Sequence, residues 1–215
     1  MFIVSYGRTG STLLQTILQS IPGYFIRGEN WNALYPLYRS VQMVRHAKHH
    51  HGRIPIPPSH PWYGSHEMEP DRYSRALVRL FLHEILSPPP GQRVIGFKEI
   101  RFHNAKGNDF IQFMNFMARF FAPAKFIFNT RNADEVMQSK WWQNIDPAEA
   151  RAMIETAEAQ FDSYIAEHPD TCYHARYEDF RHDPLGLAPM YDFLGEPFDR
   201  DVVEAVMTAK RYASW

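Results

Sequence analysis

The sequence predicts an α/β fold: a central parallel sheet of about four to five strands flanked by helices, with an anion-cradling loop after the first strand. Three observations predict it. Short apolar runs of β-leaning residues alternate with longer stretches of helical period. The clearest run, Ala124 to Thr130, is apolar through its middle, as a strand buried on both faces must be. Finally, Met1 to Tyr6 leads through a glycine-containing loop into a helix that carries Leu13, Leu14, Ile17 and Leu18.

That first loop, Gly7-Arg8-Thr9-Gly10-Ser11-Thr12, combines two glycines that let the backbone curl, several hydroxyls and one arginine. It aims N–H groups and a helix N-terminus at one spot, where an anion, most commonly phosphate, belongs. A Walker A loop would read G-x-x-x-x-G-K-S/T, but no lysine follows Gly10; Arg8 lies inside the loop, where its fork can grip an anion bidentately. A plain turn between strand and helix is the competing reading.

Pro22-Gly23 is a turn, and Tyr24 to Arg27 a second strand ending in Gly28-Glu29-Asn30. Ligands collect at the carboxyl ends of strands in open α/β sheets, so Glu29 is either placed for chemistry or an ordinary surface glutamate. Asn30 to Arg45 carries Trp31, Leu34, Tyr35, Leu37, Tyr38, Val41 and Val44 on a broad helical face despite Pro36. Residues 46–70, rich in His, Pro, Gly and Ser, predict a long surface loop, with His49-His50-His51 as a solvated run rather than a metal site. Asp71 to Leu86 returns to helical period with Tyr73, Leu77, Leu80, Phe81 and Ile85 inward, and Pro88-Pro89-Pro90-Gly91 stops it.

Arg93 to Lys98 is the third strand. Lys98 at its end either snorkels to the surface or adds a cation to the anion site. Asp109 to Phe121 is a helix whose Phe and Met residues pack on the sheet. After the strand ending at Thr130 comes Arg131, then a helix over Asn132 to Ser139. A Mg²⁺-dependent nucleotidase would carry an Asp at such a strand end; Thr130-Arg131 predicts an anion site without a metal. Asp146-Pro147 starts a long helix to about Glu167, with Ile154, Ala157, Phe161 and Ile165 inward. Thr171 to Arg176 is the last strand, and two short helices close the chain.

The chain has 215 residues, which suits a single domain over its whole length. Its 23 basic and 24 acidic residues nearly cancel, giving no sign of a nucleic-acid or anionic-membrane partner. The one cysteine, Cys172, lies in a strand and reads as a small buried apolar residue. With the first strand at residue 1 and no membrane-length apolar run, the expected location is the cytoplasm. The oligomeric state is not legible.

In this order the residues resemble the sulfotransferases that use 3′-phosphoadenosine 5′-phosphosulfate (PAPS). The family's first loop, Arg or Lys, Ser or Thr, Gly, then two Ser or Thr, matches Arg8-Thr9-Gly10-Ser11-Thr12. Its second signature, an arginine after a central strand and a serine eight residues on, matches Arg131 and Ser139. Arg176-Tyr177-Glu178-Asp179-Phe180 is similar to the family's tyrosine-containing segment, where the tyrosine lies near the nucleotide.

The resemblance implies a P-loop nucleotide-binding fold that moves a sulfuryl group from PAPS to a hydroxyl acceptor without a metal, releasing 3′,5′-bisphosphoadenosine. It implies that Arg8, Thr9, Gly10, Ser11 and Thr12 hold the 5′-phosphosulfate, that Arg131 and Ser139 hold the 3′-phosphate, and that Tyr177 lines the nucleotide. Among members the likeness is greatest to protein-tyrosine and bacterial carbohydrate types, in which a Gly-Glu pair supplies the base and a lysine polarises the transferring group. Gly28-Glu29 and Lys98 match these. Small-phenol sulfotransferases instead carry a loop lysine and a histidine base; His103 is the second candidate for the base here. The chain departs from the family in showing no clear C-terminal glycine-rich basic motif, so no 3′-phosphate contact is carried over to Lys210 or Arg211. The acceptor is expected to be a carbohydrate or small hydroxylated metabolite, with a tyrosyl peptide next. A non-catalytic adenine-nucleotide module and a P-loop kinase using ATP and Mg²⁺ are the alternatives.

Overall fold

A computed structural model describes residues 1–209. Five parallel strands form one sheet: β1 (Phe2–Ser5), β2 (Tyr24–Arg27), β3 (Val94–Glu99), β4 (Phe126–Thr130) and β5 (Cys172–Arg176), in the order β2-β3-β1-β4-β5. The chain leaves β1 toward one edge and leaves β4 toward the other. The adjacent strands β1 and β4 therefore bound a topological switch point, the crevice where such sheets bind ligands.

Strand periodicity sorts the core into two layers. Phe2 and Val4 of β1, paired with Phe126 and Phe128 of β4, face one side. That layer is filled by α2 (Leu34–His51), α3 (Pro70–Leu80), α4 (Asn108–Phe120) and α6 (Pro147–Glu167). The α4 residues Phe110, Phe113, Met114, Phe116 and Met117 are buried there, as their spacing predicts. Ile3 and its partner Ile127 face the other side, against α1 (Ser11–Gln19), α8 (Ala188–Leu194) and α9 (Arg200–Thr208). Two short helices, α5 (Ala133–Met137) and α7 (Tyr177–Phe180), follow β4 and β5 directly. Cys172 is buried, as its place in a strand predicts. No described helix is long and apolar enough to cross a membrane.

The structure corrects four details. The loop expected from residue 46 starts only at Gly52, because α2 continues through His51. Pro36 falls in its first turn, where no N–H is needed, and Lys48 in its last turn complements the negative helix C-terminus. Trp31 precedes that helix and is not part of its buried face. In the next helix Tyr73, Leu80 and Ile85 are exposed, and Ser74, Val78, Phe81 and Leu86 point inward. Ser74, Val78 and Phe81 keep a regular helical stripe one residue on from the expected one, and from Phe81 to Leu86 the helix widens to a π turn that brings Leu86 rather than Ile85 inward. Lastly, β3 runs one residue past Lys98, so both Lys98 and Glu99 belong to the strand and are buried.

Candidate active site

The first loop is held from behind. Gly7 presses on the Trp141 ring, and the Trp142 indole N–H donates to the Gly7 carbonyl at 3.0 Å. Thr9 is fully buried; its hydroxyl donates to Asn129 Oδ1 at 2.8 Å and lies 2.6 Å from Ser5 Oγ. Asn129 in turn donates to the Ala175 carbonyl on β5. The Thr9 side chain therefore braces the loop against β1, β4 and, through Asn129, β5.

Gly10, at φ 85°, enters α1 from the left-handed region, and a Cβ there would meet the Tyr177 ring at 2.4 Å. Both facts demand glycine. Ser11 is buried at the helix start, while Thr12 and Arg8 are exposed.

Across the switch point, the Arg131 guanidinium lies 4.6 Å from the Tyr177 ring centroid. Its Nε and Nη2 donate to Glu135 Oε2 at 3.1 and 2.7 Å, and Arg181 donates to the same carboxylate at 2.7 Å. Those two cations hold the Glu135 carboxyl below its usual range. Asn132 caps α5 by accepting from the N–H groups of Asp134 and Glu135. Ser139 follows that helix, and its Oγ is buried without a hydrogen-bond partner among the described residues. A buried hydroxyl left unpaired costs about 1–3 kcal/mol unless a ligand satisfies it.

On the other flank, the ends of β2 and β3 bring four charges together. Lys98 Nζ donates to Glu29 Oε1 at 2.5 Å, and Arg101 Nη1 donates to Glu29 Oε2 at 2.8 Å and to Glu99 Oε1 at 3.0 Å. Partial burial raises the Glu29 pKa, but the bonds from Lys98 and Arg101 outweigh it and hold the carboxyl below its usual range. Glu29 is thus ionised at neutral pH and able to accept a proton. The second candidate base, His103, is half-buried; burial pushes its imidazole pKa down, opposed by a bond to the Ile100 backbone.

Glu99 organises this corner. Fully buried, it accepts from the N–H groups of Ile100 and Arg101 through Oε1 and from those of Asn30 and Asn32 through Oε2. The last two bonds fix a strained turn, in which Trp31 and Asn32 are both left-handed at φ 59° and 55°. Such non-glycine positions cost about 1–3 kcal/mol each and cluster at functional sites. Glu99→Gln is expected to lower stability by about 1–3 kcal/mol in urea unfolding, because an amide leaves part of this donor set unpaired. An unchanged midpoint would remove Glu99 from that role.

The structure therefore brings Arg8, Gly10, Ser11, Thr12, Arg131, Ser139 and Tyr177 around the switch point and pairs Glu29 with Lys98 beside it. The single-sequence reading missed Glu99, Arg101, Glu135 and Arg181; the only signal was their closeness in sequence to Lys98, Arg131 and Tyr177. Lys210 and Arg211 lie outside the described residues.

The loop after β1, the strand-end cations and the Glu29 carboxylate thus gather at the carboxyl ends of the sheet. The chain belongs to the sulfotransferase family, whose model matches residues 1–200. Its fold is similar to that of a sulfotransferase domain from the Synechococcus PCC 7002 olefin synthase (TM-score 0.62, 21% identity, covering 97% of this chain and 77% of that one). It is likewise similar to a sulfotransferase domain from the curacin biosynthetic pathway (TM-score 0.59, 19% identity, covering 94% and 75%). No curated protein matches the sequence.

Proposed function

We propose that this protein transfers the sulfuryl group of PAPS to the hydroxyl of a carbohydrate or small-molecule acceptor, without a metal, and releases 3′,5′-bisphosphoadenosine. The observation that carries the reading is the grouping at the carboxyl ends of the strands: a left-handed glycine loop after β1 with Arg131 and Ser139 after β4, and the Glu29–Lys98 pair at the ends of β2 and β3. The residues fit the nucleotide. Gly10 keeps the loop backbone free of a side chain beside the Tyr177 ring, and the unpaired Ser139 Oγ suits a phosphate oxygen.

When bound, PAPS supplies an activated sulfuryl group. In the proposed roles, Ser11, Thr12 and the backbone of Thr9 and Gly10 hold the 5′-phosphate, Arg131 and Ser139 fix the 3′-phosphate, and Tyr177 lines the nucleotide. Arg8 and Lys98 neutralise negative charge that develops during transfer, which is mainly a matter of position and electrostatics. Glu29 takes the acceptor proton. As Lys98 turns from Glu29 Oε1 toward that charge, Glu29 loses a cationic partner and becomes a stronger base.

Calorimetry tests this reading. Binding of 3′,5′-bisphosphoadenosine is expected to be metal-independent and to weaken at least tenfold for 5′-AMP, which lacks the 3′-phosphate. Tighter binding of ATP with Mg²⁺ would instead favour a kinase and withdraw the roles of Arg131 and Ser139. Nucleotide binding with no transfer to any acceptor would leave a binding module.

A further inference from the structure

Trp31 is 80% exposed, although the turn that carries it is strained and held by Glu99. The other described tryptophans are accounted for by packing. Trp62 stacks on His51 at 4.0 Å, Trp141 lies against Gly7, and Trp142 is buried beneath the loop. Trp31 is backed instead by the Arg101 guanidinium, 4.1 Å from its ring centroid, and the same guanidinium donates to Glu29. The indole and the carboxylate thus stand one guanidinium apart. Beside them, Asn30 Nδ2 and Asn32 Oδ1 are buried without hydrogen-bond partners among the described residues.

We propose that Trp31 is the platform for the acceptor, and that the acceptor is an uncharged, flat-faced ring bearing a hydroxyl, which stacks on the indole and directs that hydroxyl to Glu29. The inference rests on the sulfotransfer reading and names the substrate class for it. Two features select a neutral ring. A cation already occupies one face of the indole, which disfavours a second cation on the other. The neighbouring charges, Glu29 and Glu99 against Lys98 and Arg101, balance, so a charged acceptor finds no compensating partner. A rigid aromatic presents such a face at little entropic cost. A pyranose, through its C–H face, and a phenol, through its π face, share this chemistry.

The test compares wild type, Trp31→Ala and Trp31→Phe with three acceptors: methyl β-galactoside, 4-methylphenol and the linear 1-hexanol. The preference for a ring over hexanol in kcat/KM is expected to fall at least tenfold in Trp31→Ala, through KM, and to be largely restored in Trp31→Phe. Calorimetric affinity for 3′,5′-bisphosphoadenosine should stay within about twofold of wild type in both variants, showing that the fold and nucleotide site are intact. Which ring acceptor loses more separates a sugar from a phenol. An unchanged preference in Trp31→Ala overturns the platform while leaving sulfotransfer in place. If wild type transfers to none of these acceptors, quenching of indole fluorescence by each ring in the bisphosphate-loaded protein decides. Quenching lost in Trp31→Ala supports the platform independently of transfer, and quenching that is absent or retained overturns it.

Discussion

Replacing Glu29 with Gln is expected to lower turnover by about two to four powers of ten, the usual worth of a positioned general base. Affinity for 3′,5′-bisphosphoadenosine should change little, because Glu29 lies on the β2–β3 flank and the groups proposed to hold the nucleotide lie around β1, β4 and β5. Intact turnover would remove Glu29 from the role and turn attention to His103. The same substitution has a signature in stability. The Glu29 pKa is raised by burial but lowered further by Lys98 and Arg101, so in the fold it lies below the ordinary 4.5. Its contribution is therefore fully present above pH 4.5 and is lost as pH falls through the lower folded value. Thermal melts of wild type should show that acid loss, and melts of Glu29→Gln should show less of it. Equal acid slopes would mean that the ion pairs with Lys98 and Arg101 do not stabilise the fold.

Arg131→Ala is expected to weaken binding of 3′,5′-bisphosphoadenosine by roughly 2–5 kcal/mol, as for truncating one partner of a buried charge pair. That corresponds to an affinity loss of roughly thirty-fold to several-thousand-fold. The surroundings favour a clean reading. Glu135 keeps Arg181 as a partner when Arg131 is removed, so no carboxylate is stranded. The loss should nearly vanish for 5′-AMP, since the substituted group is assigned to the 3′-phosphate. Unchanged affinity for the bisphosphate would sink the assignment.

The strands and most of the helices were legible because burial in a parallel sheet leaves continuous apolar runs, and helices packed on it leave a 3.6-residue stripe. Where the backbone departs from regular period, the reading slipped. The π turn after Phe81 brought Leu86 rather than Ile85 inward, and α2 ran on through three histidines whose composition suggested a loop. Thr9 shows a different limit: its place in the loop motif suggests a ligand contact, yet its side chain is spent on Asn129 and Ser5. A motif states which residues stand together, not which way each one points.

By itself the sequence determined the α/β class, the glycine loop after the first strand, the arginine and serine beyond the fourth, and the resemblance to sulfotransferases, because these depend on local period and spacing. Only the tertiary structure decided that Glu29 is clasped by both Lys98 and Arg101, that Glu99 holds the strained turn under Trp31, and that Arg131 shares Glu135 with Arg181. Apart from the Arg131–Glu135 pair, these are contacts between segments that follow different strands, from 46 residues apart for Arg181 with Glu135 to 72 for Arg101 with Glu29. Parallel pairing sets them side by side, and no local pattern in the chain encodes that register.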